Sequence, residues 1–286
     1  MNSLYQKPGK SSILRLHGIS KNPKTGNFML VMDYKKNNLR NYLDKNFKEC
    51  KWKHLIEILF RASIGLKRIH ELRFVHCSLH SGNILVDGVN SGKERKIDVF
   101  ITGFGHSSEI TQTNSDSKKK TLFGILPYIA PEILRGQPQS KESDVYSFGV
   151  IMAEMSTGKP PFYNIPHDEN LARKICEEGL RPEINKDITP RIYFNLAKRC
   201  LDADPSKRPT FEELEGILEF WYDSLYGYNG FPERNRESVE IRTTFDKCDI
   251  PTELSYKCHK GASYTGRELS FGRFSPPKNH INHYIY

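Results

Sequence analysis

The stretch from His76 to Asn83 gathers side chains that could take part in chemistry. It holds two histidines, a cysteine and two serines, and it ends in an asparagine. A cysteine beside a histidine can form a nucleophile pair. Cys77 and His76 are adjacent in the chain, however, and adjacent residues seldom face one another, so we do not expect a thiol enzyme. The hydroxyl of Ser78 carries no charge and cannot serve as a base near neutral pH.

Two short strands are predicted to connect this stretch to a second loop that ends in Phe104 and Gly105. Residues 84–86 and 97–101 are apolar runs of the length and composition typical of strands. Residues 87–96 between them are rich in glycine, asparagine and charge, which indicates a turn. The pattern therefore predicts a loop, a hairpin and a second loop.

The elements before His76 are predicted to be two strands and two helices. Residues 13–16 and Phe28–Met32 are apolar runs on either side of a turn at 22–26. Leu39–Asn46 suits a short helix. From Trp52, apolar residues recur at three- and four-residue steps for about twenty residues, which predicts a long amphipathic helix that positions the loop at His76.

This order of elements resembles the catalytic core of protein kinases. In that family the first loop reads His-Arg-Asp, four residues and Asn, and the second reads Asp-Phe-Gly. The family's residue types are kept at His76, Asn83, Phe104 and Gly105. They are lost at the position of the arginine and of both aspartates, which are Cys77, Ser78 and Gly103.

Later motifs of the family follow in the expected order. A polar activation segment at 107–121 is closed by Ala130, Pro131 and Glu132, and an apolar helix that begins at Ser143 or Asp144 and contains Gly149 comes next. By the resemblance, Glu132 forms an ion pair with Arg208, and Asp144 accepts backbone hydrogen bonds from the loop at His76. Residues 127–132 look most like those of tyrosine-kinase-like serine/threonine kinases.

The resemblance implies an α+β protein-kinase-like fold over residues 13–222. We expect a small-lobe remnant at 13–35, limited to its last two strands, and a mostly helical large lobe at 36–222, with later helices at 171–178, 191–201 and 211–222. A two-stranded remnant is marginal, so we expect exposed apolar surface at 13–16 or 28–32. Residues 1–12 are a polar lead. The tail, 223–286, has mixed charges and no sustained apolar face, and we expect it to be disordered.

A nucleotide site is also implied by the resemblance. Met32 stands at the gatekeeper position, Asp33, Tyr34 and Lys35 form the hinge that meets adenine in active relatives, and Leu85 belongs to the pocket. The Gly-rich loop, the phosphate-contacting lysine and its glutamate partner have no counterpart in the sequence, which indicates an N-terminally shortened domain. Asn83 could give one oxygen to a metal, but one neutral ligand is a poor site for Mg2+.

The lost residues are those that phosphoryl transfer needs, namely a carboxylate for the substrate hydroxyl and a second for the metal. We therefore predict a pseudokinase that binds no cofactor and acts in signalling as a protein-interaction or regulatory module, with protein partners such as an active kinase. One alternative is an active protein kinase that uses ATP and Mg2+ with a substitute base and metal ligand. Another is a truncated kinase fragment.

Composition excludes several other classes of protein. The net charge is +9, but the basic residues are dispersed apart from 118–120, so we expect no nucleic acid partner. No apolar run is long enough to span a membrane and the first residues lack a signal-peptide core, so we expect a cytoplasmic or nuclear protein. Six scattered cysteines without a disulfide-framework spacing indicate reduced thiols.

Overall fold

The computed structural model describes residues 12–91, 94–109, 122–227, 236–250 and 254–279, where it combines four two-stranded sheets with a mainly helical body. The strands are β1 Leu16–Lys21, β2 Phe28–Met32, β3 Phe74–Val75, β4 Ile84–Ser91, β5 Glu94–Ile101, β6 Ser108–Glu109, β7 Leu122–Gly124 and β8 Arg267–Leu269. The helices are α1 Leu39–Asn46, α2 Trp52–Glu71, α3 Pro131–Leu134, α4 Lys141–Thr157, α5 Glu169–Arg173, α6 Arg191–Cys200, α7 Phe211–Tyr226 and α8 Arg236–Asp246. This mixture agrees with the predicted α+β class. Almost all of the predicted lead and most of the predicted activation segment lie outside the described residues.

β1 and β2 form an antiparallel pair around the predicted turn. β2 has the predicted bounds, but the prediction of a strand at 13–16 is wrong, because Leu14 donates its amide hydrogen to the carbonyl of Ile101, 3.0 Å away at the end of β5. Ile13 and Leu14 are therefore buried. The expectation of exposed apolar surface is confirmed in β2, where Phe28 is 77% exposed and its next three neighbours are also exposed.

The core of the large body is built on α2, which has the predicted length of twenty residues. Its apolar face is fully buried, and the helix packs along α7 and β5. Gly65 lies where α2 contacts Ser12. A Cβ at this position would be 2.8 Å from the Ser12 carbonyl oxygen. The glycine therefore permits a close approach that any side chain would obstruct.

The β4–β5 hairpin brings the two loops together. Both strands extend into residues 87–96, so the predicted turn is shorter than expected. Ile84 pairs with Ile101 at the base, where the Thr102 amide donates to the Asn83 carbonyl at 3.0 Å. The end of the first loop and the start of the second are thus fixed side by side.

α4 is the most deeply buried helix of the described chain, with all residues from Ser143 to Thr157 buried. Its N-cap is Ser140, whose side chain accepts a hydrogen bond from the Ser143 amide. The helix was predicted to begin at Ser143 or Asp144, but its N-cap is Ser140. Ser143 completes this cap, because its hydroxyl accepts a hydrogen bond from the Ser140 amide at 3.1 Å, whereas Asp144 turns towards the loop at His76. The helix ends at Gly158, which has φ of 72°.

The C-terminal part of the chain differs most from expectation. α7 continues to Tyr226, past the predicted domain boundary at 222, and the helix predicted at 171–178 divides into α5 and a π-helical turn. The disorder expected of the tail is not observed at 236–250 and 254–279. Phe245 of α8 is buried against Trp52 and Trp221, with ring centroids 6.0 and 5.5 Å apart.

Two further features concern the described residues as a whole. None of their helices is both long and apolar enough to cross a membrane. All six cysteines are free thiols, as predicted.

Candidate active site

The loop from His76 to Asn83 is held by the carboxylate of Asp144. This carboxylate is buried and accepts hydrogen bonds from the backbone amides of His76 and Cys77, at 2.8 and 3.1 Å. The ring Nε2–H of His70, at the end of α2, donates to the same group at 2.9 Å. Cys77 has φ of 64°, a conformation that L residues seldom adopt, and Asp144 holds it there.

His76 links the two loops and faces the interior. Its Nε2–H donates to the Thr102 carbonyl at 2.8 Å, and its ring lies 5.2 Å from that of Phe104. Burial lowers the pKa of His76, so the imidazole is neutral at physiological pH. Phe104 is itself buried, whereas Gly105 is exposed. Phe104 therefore serves the packing of the second loop, and Gly105 does not.

Ser78, Asn83 and Gly103 meet where the two lost carboxylates would stand. The Asn83 side-chain amide donates to the Ser78 carbonyl at 2.8 Å. Gly103 has φ of 88°, and a Cβ built on it would lie 2.3 Å from the Asn83 side chain. Asn83 thus fills the space next to Gly103, and neither neighbour supplies a carboxylate.

His80 is partly buried in the loop. Its Nδ1 accepts a hydrogen bond from the Gly82 amide at 3.1 Å, and its ring lies 5.9 Å from that of Tyr128. Burial lowers the pKa of His80 to about 4. The side chain is therefore neutral near pH 7 and offers no positive charge to a phosphate.

The predicted hinge residues do not converge on this loop. Tyr34 is 87% exposed, and the Asp33 carboxylate is bonded to the His17 ring. Lys35 turns to the β4–β5 hairpin, where its ammonium is 3.5 Å from the Asp87 carboxylate and 4.4 Å from the centre of the Phe100 ring.

Met32 and Leu85 are placed by backbone pairing. Met32 ends β2 opposite Leu16, and Leu85 forms a bridge with Asn38 just before α1. The role of these residues and of the hinge in nucleotide binding stays a prediction.

The predicted ion pair of the large lobe is formed. The Arg208 guanidinium donates to both Glu132 carboxylate oxygens, at 2.6 and 2.8 Å, and both residues are buried. Ala130 and Pro131 form the start of α3, which presents Glu132. Gly149 lets α4 approach α6, since a Cβ there would be 2.7 Å from Cys200.

A second buried network was not predicted from the sequence. Glu154 of α4 is completely buried and accepts hydrogen bonds from Arg40, Ser81 and Tyr128, at 2.7, 3.0 and 2.6 Å. Burial raises the pKa of Glu154, against the opposing effect of Arg40. One signal could have revealed this network: Glu154 is a lone carboxylate inside an apolar helix, and such a residue requires a partner.

No group of three or more His, Cys, Asp or Glu side chains that could hold a metal ion occurs in the parts of the chain described above. A small cavity of about 20 Å3 lies between the loop, residues 124–130 and the start of α4, and it has room for about one water molecule. The retained residues hold the loop in shape and leave it without a carboxylate at either lost position.

Comparison with known proteins identifies several relatives. The sequence model of protein tyrosine and serine/threonine kinases matches residues 2–218. A probable serine/threonine-protein kinase of Dictyostelium discoideum is 31% identical over 206 residues, which cover 71% of this chain and 12% of that kinase. The dual specificity protein kinase shkD of the same organism is 29% identical, covering 67% of this chain and 25% of shkD. A serine/threonine/tyrosine-protein kinase of Arabidopsis thaliana is also 29% identical, covering 67% and 47%. The chain spans less than half the length of each.

Proposed function

Because the chain belongs to the protein tyrosine and serine/threonine kinase family, we propose that it is a catalytically inactive member that acts in signalling as a protein-interaction module. The observation that carries this proposal is the contact between Gly103 and Asn83. A metal ligand is missing at Gly103, and the Asn83 side chain occupies the space where one would extend.

The missing base supports the same proposal. Transfer of a phosphoryl group requires a carboxylate that orients the substrate hydroxyl and accepts its proton. Ser78 stands at that position, and its hydroxyl makes no hydrogen bond to another described residue. The neutral side chains of His76 and His80 do not replace the charge, since His76 is bound to Thr102 and His80 caps the Gly82 amide.

The retained interactions support a role for the folded domain itself. The carboxylates of Glu132, Asp144 and Glu154 are all buried, and each accepts at least two hydrogen bonds. They stabilise a rigid large lobe and do not depend on a nucleotide. A rigid surface of this kind suits a protein partner, and an active kinase of the same family is the partner that we propose.

A thermal melt of the full chain tests the binding of nucleotide. A ligand at one hundred times its dissociation constant stabilises the folded state by about 2.7 kcal/mol, which would raise the melting temperature by several degrees. We expect a cooperative melt with the same midpoint in ATP with Mg2+, in ATP with EDTA, and without ligand. A shift that requires Mg2+ would overturn the proposal.

A phosphate-incorporation assay tests turnover directly. We expect no transfer of labelled phosphate to the chain or to a generic protein substrate, with Mg2+ or Mn2+, above the level of a heat-denatured sample. An active protein kinase measured in parallel provides the positive control. Incorporation above the control would establish the alternative, an active kinase with a substitute base and metal ligand.

A further inference from the structure

Residues 254–279, which we call the strap, run across the large lobe from α1 to the π-helical turn at 174–178. The Tyr256 hydroxyl donates to the Asp44 carboxylate at 2.7 Å, and the His259 amide donates to the Tyr163 carbonyl at 2.7 Å. Further along, the Lys278 amide donates to the Cys176 carbonyl at 3.1 Å. The strap is thus fastened at intervals, largely by hydrogen bonds that involve the backbone.

In its middle the strap adds a strand to β7. β8 pairs antiparallel with β7, with Leu269 opposite Leu122 and Arg267 opposite Gly124. Within the described chain, β7 pairs with no other strand. An extended segment that joins a free strand edge gains affinity from backbone hydrogen bonds and specificity from alternate side chains. β7 therefore has the properties of a docking edge for an extended peptide.

The side chains of β8 show what this edge selects. The residue before β8 is Gly266, where a Cβ would lie 3.0 Å from the ring of Phe123. Arg267 donates a hydrogen bond to the carbonyl of His167, and Leu269 is buried. The side chain of Glu268 points to solvent. The preferred pattern is a small residue, a basic residue, any residue and an aliphatic residue.

The strap is held mainly by hydrogen bonds near the surface, and Tyr264, Phe271 and Phe274 pack against the core only partly buried. Leu269 is its only fully buried side chain, and all other residues of 254–279 are partly or fully exposed. Segments with few buried apolar contacts open at a much lower cost than the core of a domain. By contrast, α8 just upstream is anchored by Phe245 between two tryptophans. Release of the strap would therefore leave α8 in place.

We infer that the strap occupies in cis a peptide-docking edge on β7, and that a partner protein binds there through an extended segment of the same small–basic–any–aliphatic pattern. This inference rests on the proposed function and names the class of partner. Because a tethered segment acts at a high effective concentration, the strap opposes binding in trans. The strap is thus an autoinhibitory contact.

The test measures binding of a fluorescent peptide with the sequence of residues 262–273 by fluorescence anisotropy. The proteins are the full chain, the variants Leu269→Glu and Arg267→Ala, and the matched control Glu268→Gln on the exposed face of β8. We expect both strap variants to bind the peptide at least about tenfold more tightly than the full chain. Glu268→Gln should resemble the full chain, and a peptide carrying Leu269→Glu should not bind.

Equal affinity of all four proteins, or no binding to strap variants that melt cooperatively, would overturn the inference. Hydrogen exchange of the unmodified chain gives a second test that needs no variant. The amides of 122–124 and 267–269 should exchange together and faster than those of α2, and exchange as slow as that of α2 would refute a releasable strap. Phosphate incorporation by the same variants would overturn the proposed inactivity but leave the peptide result standing.

Discussion

Replacing Gly103 with aspartate restores the residue type of the kinase family at this position, yet we expect it to destabilise the protein and to create no metal site. The new Cβ would lie 2.3 Å from the Asn83 side chain, which is closer than non-bonded carbon atoms can approach. Asn83 must therefore move and lose its 2.8 Å hydrogen bond to the Ser78 carbonyl. In addition, the backbone at Gly103 has φ of 88°, which favours glycine.

The magnitude follows from these two costs. A side chain in the left-handed region costs about 1–2 kcal/mol, and loss of the Asn83 hydrogen bond costs about 1 kcal/mol. We expect Gly103→Asp to lower the free energy of unfolding by about 2–3 kcal/mol, which corresponds to a decrease in melting temperature of roughly 3–5 °C. The midpoint should not rise on addition of ATP and Mg2+.

A double-mutant cycle with Asn83→Ala isolates the contact. Each single change removes the same hydrogen bond, so the double variant should be more stable than the sum of the single effects predicts, by about 1 kcal/mol. Gly105→Asp is the matched control. Among the described residues, nothing lies within 4 Å of a Cβ at Gly105, so the change there should stay within about 0.5 kcal/mol.

Two results would refute this reasoning. If Gly103→Asp melts at the temperature of the unmodified protein, Asn83 does not hold the space that the structure assigns to it. If the variant is stabilised by ATP only when Mg2+ is present, one carboxylate suffices to rebuild the metal site, and the contact between Asn83 and Gly103 does not exclude the metal.

Three further predictions concern the rest of the fold. Arg208→Met leaves the buried Glu132 carboxylate without its partner and should lower the free energy of unfolding, measured in urea, by about 3–5 kcal/mol. Arg199→Met breaks an exposed ion pair and should lower it by under about 1 kcal/mol. The pKa of His80 lies below its unfolded value of 6.5, at about 4. The neutral ring therefore contributes fully to the free energy of unfolding above pH 6.5, and this contribution decreases by up to about 3 kcal/mol as the pH falls to 4. His80→Asn keeps a hydrogen-bond acceptor and should flatten this part of the stability curve, and an unchanged curve would contradict the burial of the ring. Phe245→Ala should cost about 3–5 kcal/mol if α8 belongs to the folded domain, and the exposed Val239→Ala should have little effect.

Elements with a local cause could be predicted from the sequence. α2 was predicted from the three- and four-residue spacing of its apolar side chains, and β2 from a compact apolar run. The loss of both carboxylates, at Ser78 and Gly103, is a property of the sequence alone. The ion pair of Glu132 and Arg208 was also predicted, although only through the resemblance to the kinase family.

Elements that depend on distant partners could not be predicted in this way. Residues 13–14 have the composition of a strand, but they are buried through a backbone hydrogen bond to Ile101, and β1 begins only at Leu16. The tail lacks a periodic apolar face because its helix and its strand are each anchored mainly by single buried residues, Phe245 and Leu269. One buried residue in an element leaves no repeating apolar pattern in the sequence. The composition therefore indicates disorder, although the structure shows these residues packed.

The sequence by itself therefore determined the family, the main helices and the loss of a carboxylate at Ser78 and Gly103, because residue identity and local periodicity carry that information. Only the tertiary structure decided that Asn83 fills the space beside Gly103, that Glu154 finds Arg40 over 114 positions of separation, and that the strap covers β7. Each of these depends on atoms that are far apart in the chain and meet only after the large lobe has folded. Their energies come from excluded volume and from hydrogen bonds between such atoms, and no local pattern records them.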